Sequence, residues 1–247
     1  MGNVRMVSST GLKLFAEGIL LERGGRQIRS TSSIRFQYQA LYTGRADRLS
    51  INLHSSVYFL DRGVEIDTLP SATVQSSLRC NRLVFEGRRN LVRALGAVRL
   101  VHGDSWLRAR RLGAYLTSDR KEIEFIRARG VTAVTTRTQP DGMRQTFSAS
   151  GGTVSIVLDP ETRTVKEFEL DGGPTRSAAQ VSIEDSTGTV RQVDARYIVG
   201  HDMTPEVQHL AAWEPVAFRE FFSFSRSSVT SWACGDRAEV TLADSRL

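Results

Sequence analysis

Polar and apolar residues alternate along most of the chain, and this alternation is the pattern of half-buried β-strands. It occurs in part of residues 45–53 and in residues 122–125 and 153–158. Turn signals rich in Gly, Pro, Asn and Asp separate such stretches about every ten residues. The pattern therefore predicts an all-β protein. Residues 204–212 fit either a strand or a helix.

Two short motifs alternate along the chain, which indicates a repeat. The first reads apolar, any, small, any, any, apolar, and occurs at residues 78–83, 107–112 and 193–198, with weaker copies at 46–49 and 147–152. The second reads Ala-x-Gly followed by an apolar strand, and occurs at residues 16–19, 94–98 and 128–131, with echoes at 170–172 and 212–216. A single unit of this kind cannot bury its apolar face, so units are expected to stack and share one core.

The small residue of the first motif is expected to mark a narrow part of the wall, and the glycine of the second a kink or bulge. We expect one elongated domain over residues 1–247, with a weak division near 138–145. The chain opens inside the second half of one unit and closes on what resembles the start of another. We therefore expect a piece of a longer repeat protein, or one built to continue into a neighbour.

Ala46-Asp47-Arg48-Leu49 and Ala94-Leu95-Gly96-Ala97-Val98 resemble the repeat of the lipopolysaccharide-transport OstA-like family (LptA, LptC and the LptD N-terminal domain). The resemblance extends over most of residues 12–224. The sequence departs from the family pattern where arginine or asparagine replaces the aspartate, at Asn81, Arg110 and Arg196. The resemblance implies an antiparallel β-jellyroll folded over like a taco, with an apolar interior that holds the acyl chains of lipopolysaccharide.

The same resemblance implies a periplasmic bridge protein that passes lipopolysaccharide toward the outer membrane and pairs through sheet edges with other transport proteins or with itself. Residues 1–5 lack the apolar core of a signal peptide. The alternative is a closed β-solenoid that acts as a structural or self-assembling scaffold without lipid.

The apolar strand faces supply the candidate lipid-binding residues, which would otherwise fill a closed core. They are Phe36, Tyr38, Leu83, Phe85, Val98, Leu100, Leu107, Leu112, Ile123, Phe125, Val154, Ile156, Phe168 and Leu170. The candidate contacts to lipid phosphates are Arg108, Arg110, Arg111 and Arg127.

The net charge is +6, and only Lys13, Lys121 and Lys166 among the 33 basic residues are lysines. Arginine favours bidentate contact with phosphates and carboxylates, so this composition indicates either an anionic partner or simply a solvated basic surface. A basic stripe with interleaved aromatic residues is not evident, and nucleic acid is therefore not an expected partner.

Motifs for catalysis are not evident. The four histidines (His54, His102, His201 and His209) show no metal-ligand spacing, and Cys-x-x-Cys and Gly-x-Ser-x-Gly do not occur. The chain is therefore not expected to be an enzyme or to need a metal or cofactor. Cys80 occupies the small position of the first motif and is expected to be a core residue, although a disulfide with Cys234 stays open.

Overall fold

The computed structural model describes residues 4–7, 11–22, 24–38, 41–70, 74–119, 122–138, 144–159, 165–173, 179–184, 188–201, 207–224 and 227–243. Every regular element in these ranges is a β-strand, so the predicted all-β class is confirmed. None of the described residues forms a helix long and apolar enough to cross a membrane.

The chain divides into two compact units, Met1–Lys121 and Glu122–Leu247. Most of the weak division expected near 138–145 lies outside the described residues. A single elongated domain stays a prediction.

Unit 1 contains short strands at its start and long strands at its end. In its described part these are β1 (Val4–Val7), β2 (Leu12–Ala16), β3 (Ile19–Glu22), β4 (Gln27–Ser30), β5 (Ile34–Tyr38), β6 (Tyr42–Ala46), β7 (Arg48–Asn52), β8 (Val57–Thr68), β9 (Ser76–Glu86), β10 (Leu91–His102) and β11 (Ser105–Leu116).

The strand pairing shows that unit 1 is one antiparallel sheet folded over along a line. The strands β8 to β11 pair with one another along both of their halves. One set of halves continues through β6, β5, β2 and β1, and we call this layer A. The other set continues through β7, β4 and β3, and we call this layer B. The boundary between the layers, which we call the fold line, crosses the middle of each long strand.

Bulges bend the strands at the fold line. In β8, Arg62 and Gly63 stand opposite the single residue Asn81, and in β10 a register shift includes Gly96 and Ala97. All four bulge residues have positive φ, between 48° and 74°. A bulge inserts an extra residue into one strand and bends it. The predicted kink at the glycine of the second motif is thus confirmed at Gly96.

The first motif belongs to the strand that faces the bulge. A Cβ at Gly96 would lie 2.7 Å from Asn81 Nδ2, so the asparagine lies directly over the bulge. In the same way, the Asp47 amide donates a hydrogen bond to the Arg62 carbonyl at 3.1 Å. At Asn81 and Gly96 the two sequence motifs are therefore the two partners of one contact. At Asp47 the first motif instead contacts a bulge that lies outside the second motif.

The spacing within the first motif also follows from the bend. Cys80 and Leu83 are both buried, at 5% and 8% exposure, although they are three residues apart in one strand. Residues three apart in a straight strand point to opposite faces of the sheet. Because β9 bends between them, both side chains reach the same interior.

Unit 2 repeats this architecture. Its described strands are β12 (Ile123–Thr138), β13 (Arg144–Leu158), β14 (Val165–Asp171), β15 (Ala179–Glu184), β16 (Val190–Ala195), β17 (Tyr197–His201), β18 (Val207–Phe224) and β19 (Ser227–Ala243). The strand β18 covers residues 207–212, and residues 204–206 lie outside the described part.

In unit 2 the long strands β12, β13, β18 and β19 join two layers. The second half of β13 continues through β14 and β17 to the first half of β18, and we call this layer C. The first half of β13 continues through β15 and β16 to the second half of β18, and we call this layer D. The register shifts in β18 between Trp213 and Val216, where the sequence carries its weak second motif.

One edge of layer B is apolar. The described part of the chain pairs β3 with β4 alone, and Leu20 and Leu21 in β3 are 53% and 66% exposed. An unpaired strand edge offers backbone groups to a further strand.

Cys80 is a free thiol in the core, as expected of the small position in the first motif. Its backbone pairs with Val64, which is 1% exposed. Burial raises the pKa of the Cys80 thiol from 9.0 to about 11. The side chain of Cys234 lies outside the described residues.

We expect Gly96→Ala to lower the free energy of unfolding by about 2 kcal/mol, since positive φ costs an alanine about 1 kcal/mol and the new methyl group would press on Asn81. Gly24→Ala is the matched control, because Gly24 has a φ of 62° and nothing within 4 Å of its added Cβ. It should lose only the backbone contribution. Urea unfolding followed by circular dichroism measures both, and equal losses would show that the Asn81 contact is unimportant.

The Cys80 thiol should make stability depend on pH above 9. The native thiol keeps its proton up to about pH 11, whereas the unfolded thiol loses it near pH 9, so this contribution is present below pH 9 and is lost as pH rises toward 11. The Cys80→Ala variant carries the residue found at the equivalent positions Ala109 and Ala195. Its free energy of unfolding should decrease less steeply between pH 9 and pH 11 than that of the wild type. Identical slopes for both proteins in urea unfolding at pH 8.5 to 11 would contradict the assignment.

Candidate functional site

The inner face of layer A changes from buried to open with distance from the fold line. Val64 and Val98, beside the fold line, are 1% and 2% exposed. Two residues further along the same strands, Ile66 and Leu100 are half-buried, and His102 beyond Leu100 is exposed. The change is not uniform across the layer, since Leu107, which pairs with Leu100, is 8% exposed. We call the partly accessible part of the inner face the cleft, with the fold line as its bottom and the strand ends as its mouth.

Layer B shows a similar change along β8 and β9, although Ile51, which pairs with Tyr58, stays buried at 3% exposure. Leu60 and Leu83 are buried near the fold line, whereas Tyr58 and Phe85, two residues further out, are half-buried. The rings of Tyr58 and Phe85 contact each other, with centroids 5.7 Å apart and planes tilted by 42°. Aromatic side chains with one accessible side therefore line the mouth of the unit 1 cleft on this layer.

The inner face of layer C repeats the pattern in unit 2. Ala128, Leu170 and Ile198 near the fold line are at most 1% exposed. Further out, Ile156 and Phe168 pair across β13 and β14 and are half-buried. Each unit therefore has its own apolar inner face that is closed at the bend and more accessible toward the strand ends.

Glycines let two of the inner-face rings lie flat on the sheet. Phe36 pairs directly with Gly44, and Phe168 with Gly200. A methyl group at either glycine would overlap the ring, and at Gly44 it would also lie 2.7 Å from the Glu65 carbonyl oxygen. The rings thus cover bare backbone, as aromatic residues do beside strand glycines.

A polar rim borders the mouth of layer A. The Ser76 hydroxyl lies 2.7 Å from His102 Nδ1, and the Ser76 amide donates to the Thr68 hydroxyl at 2.9 Å. Tyr42, which pairs with Thr68, is 39% exposed. These hydroxyl and imidazole groups can bind a polar head group above an apolar interior.

Most of the predicted lipid-binding residues lie on the inner faces. The buried ones are Phe36, Leu83, Val98, Leu107, Leu112, Val154 and Leu170. The half-buried ones are Tyr38, Phe85, Leu100, Ile156 and Phe168.

Ile123 and Phe125 are exceptions, and the structure corrects their placement. Phe125 pairs with Val157, which is 37% exposed, whereas the inner face of the same strands pairs Ile126 with Ile156. Phe125 and Arg127 instead line a shallow depression of about 300 Å³ on the outer face. Alternation in the sequence distinguishes two faces, and the acidic residues beside Ile123 wrongly suggested that its own face points inward.

The four predicted phosphate contacts do not lie on the inner faces. Arg108, Arg110, Arg111 and Arg127 are all exposed. Arg108 follows the buried Leu107 in β11 and Arg111 precedes the buried Leu112, so both point outward. Arg110 lies at the fold line. Arg127 pairs with Ser155 on the outer face. They are thus not at the rim where the sequence-based hypothesis placed them.

The structure adds inner-face residues that the motifs did not indicate. Tyr58 and Ile66 belong to the cleft, and the bulge at Arg62 and Gly63 belongs to the fold line. The signal for this bulge is an Arg-Gly pair in the middle of a long apolar strand, without the alanine of the second motif.

A metal centre is not evident in the described residues, because they hold no cluster of three His, Cys, Asp or Glu side chains.

No protein-family model matches the chain, and no curated protein matches it. Among solved structures the chain is similar to the crystal structure of LptH from Pseudomonas aeruginosa, the LptA homologous periplasmic component of the conserved lipopolysaccharide transport device. That likeness has a TM-score of 0.37 and 6% sequence identity, and it covers 42% of this chain and 74% of that chain. Function is therefore inferred from the motifs and the inner faces.

Proposed function

We propose that this chain is a non-enzymatic, periplasmic lipid-binding bridge protein that holds the acyl chains of lipopolysaccharide and passes it toward the outer membrane. The observation that carries the proposal is the set of half-buried apolar side chains on the inner faces of both folded sheets, among them Leu100, Ile156 and Phe168. In this proposal each folded sheet is an OstA-like β-jellyroll, in keeping with the motifs at residues 46–49 and 94–98.

The half-buried residues provide the binding energy for an acyl chain. Leu100, Ile156 and Phe168 retain apolar surface that a closed core would have buried. Each methylene group that leaves water contributes about 0.8 kcal/mol, so several methylenes laid along such a face offset the entropy of ordering the chain.

The polar rim suits a ligand with a hydrophilic head. Ser76, Thr68 and His102 lie at the strand ends beside the apolar interior. A saccharide or phosphate at the mouth can exchange hydrogen bonds with these groups while the acyl chains enter the cleft. This division between rim and interior matches an amphiphile such as lipopolysaccharide.

Edge strands are the proposed sites of contact with partner proteins. The apolar edge at β3 is proposed to pair with a strand of another lipopolysaccharide-transport protein or of a second copy of the chain. Such pairing would continue a folded sheet from one protein into the next.

Neighbouring residues on opposite faces test the proposal. Ile156→Glu should lower the affinity for lipopolysaccharide at least tenfold, because a carboxylate on the inner face must be desolvated beside the acyl chains. Val157→Glu places the same charge one residue away on the outer face and should leave the affinity unchanged. Native mass spectrometry with lipopolysaccharide and with a simple phospholipid measures both.

A second readout separates binding from folding. A photo-crosslinking residue at Leu100, on the inner face, should capture lipopolysaccharide, whereas one at Val101, on the outer face, should not. Circular dichroism confirms that each variant is folded. A β-rich sample that neither binds nor crosslinks either lipid would refute the cleft and favour a closed scaffold.

A further inference from the structure

One cross-strand row on the outer face of layer A consists mainly of arginine. From β1 to β11 the directly paired residues are Arg5, Phe15, Arg35, Arg45, Glu65, Arg79, Arg99 and Arg108. Directly paired residues of an antiparallel sheet project from the same face. At about 4.8 Å between strands, this arginine row runs for roughly 34 Å across the sheet.

The arginine row works against the stability of the sheet. Arg35 stands opposite Arg45, and Arg99 stands between Arg79 and Arg108. Like charges directly opposite each other in a sheet are destabilising. A protein keeps such a local conflict where it serves a function.

Carboxylates offset only the middle of the row. Glu65 pairs with Arg45 at 2.6 Å and with Arg79 at 3.5 Å, and Asp67 pairs with Arg79 at 2.9 Å. The hydrogen bond from Arg45 lowers the pKa of the Glu65 carboxyl, so this group is ionised. Within the described ranges, no ion pair is found at Arg35, Arg99 or Arg108, and all three are exposed.

The arginine-rich composition does not explain this placement. The outer row of layer C that begins at Arg127 continues through Ser155, Glu169 and Val199 and mixes acidic, polar and apolar residues. Among the described cross-strand rows, only the one on the outer face of layer A contains six arginines.

Aromatic side chains stand at both ends of the arginine row. The Arg5 guanidinium lies over the Phe15 ring at 6.0 Å, and the Arg108 guanidinium over the Trp106 ring at 5.2 Å. Arg5, Phe15 and Arg35 also line a depression of about 490 Å³. Phe15 and Trp106 are six strands apart, roughly 29 Å, which is too far for successive bases of a nucleic acid to stack on them.

We propose that the outer face of layer A docks on the surface of a bilayer that contains anionic phospholipids. The arginines bind lipid phosphates, and the two aromatic residues anchor the ends of the face at the interface. The lipid phosphates supply the negative charge that Arg35, Arg99 and Arg108 lack within the fold. This docking is independent of the inner cleft, and either proposal can fail without the other.

Sedimentation with vesicles tests the docking. The chain should bind vesicles of phosphatidylcholine with 30% phosphatidylglycerol, more weakly at high salt, and should not bind pure phosphatidylcholine. The triple variant Arg35→Gln, Arg99→Gln, Arg108→Gln should bind about a hundredfold more weakly, from about fivefold per arginine near an anionic surface. Its melting temperature should be unchanged or higher, because repulsion is removed.

The matched control changes the net charge equally elsewhere. Arg26→Gln, Arg48→Gln, Arg129→Gln removes three exposed arginines outside the row and should retain at least a third of the wild-type affinity. Equal losses of vesicle affinity in both triple variants would show that only the net charge matters, and would overturn the proposal. So would a wild-type chain that ignores anionic vesicles, or one that binds a single-stranded oligonucleotide through the row but not the vesicles.

Discussion

The bend of the long strands at the fold line of unit 1 is the constraint on which the rest of this structure depends. Cys80 and Leu83 both belong to the interior only because β9 turns between them. In a flat sheet one of the two would face water. The facing strand carries an extra residue at that level, as β8 does at Arg62 and Gly63, so the apolar face stays continuous around the bend. A polar side chain such as Asn81 then covers the exposed bulge.

The arrangement of side chain sizes along the strands follows from this constraint. Small residues therefore occupy the bottom, as Cys80 and Ala109 do at 5% exposure each, and longer or aromatic residues occupy the mouth. The glycines opposite Phe36 and Phe168 also limit how far the side chains extend from the sheet, because a ring that lies on bare backbone does not reach across to the other layer.

Much of the fold could be predicted from the sequence, since alternation, turn residues and two repeated motifs are local signals. Gly96 and Cys80 are examples in which the motif indicated both the position and the role. The faces were harder. Alternation places Phe125 and Ile126 on different faces of β12 but does not show which face is inside, because Glu124 and Arg127, which lie on different faces, are both exposed. The arginine row could not be predicted, since its members are scattered in sequence and meet only through the register of eight strands.

The arginine row also restricts how copies of this chain can associate. Two copies stacked through the outer faces of layer A would bring two sets of arginines together and desolvate both, which is electrostatically unfavourable. The apolar edge at Leu20 and Leu21 carries no such penalty. Charge on the outer face of layer A therefore opposes face-to-face association, whereas the edge at β3 carries no such row of like charges.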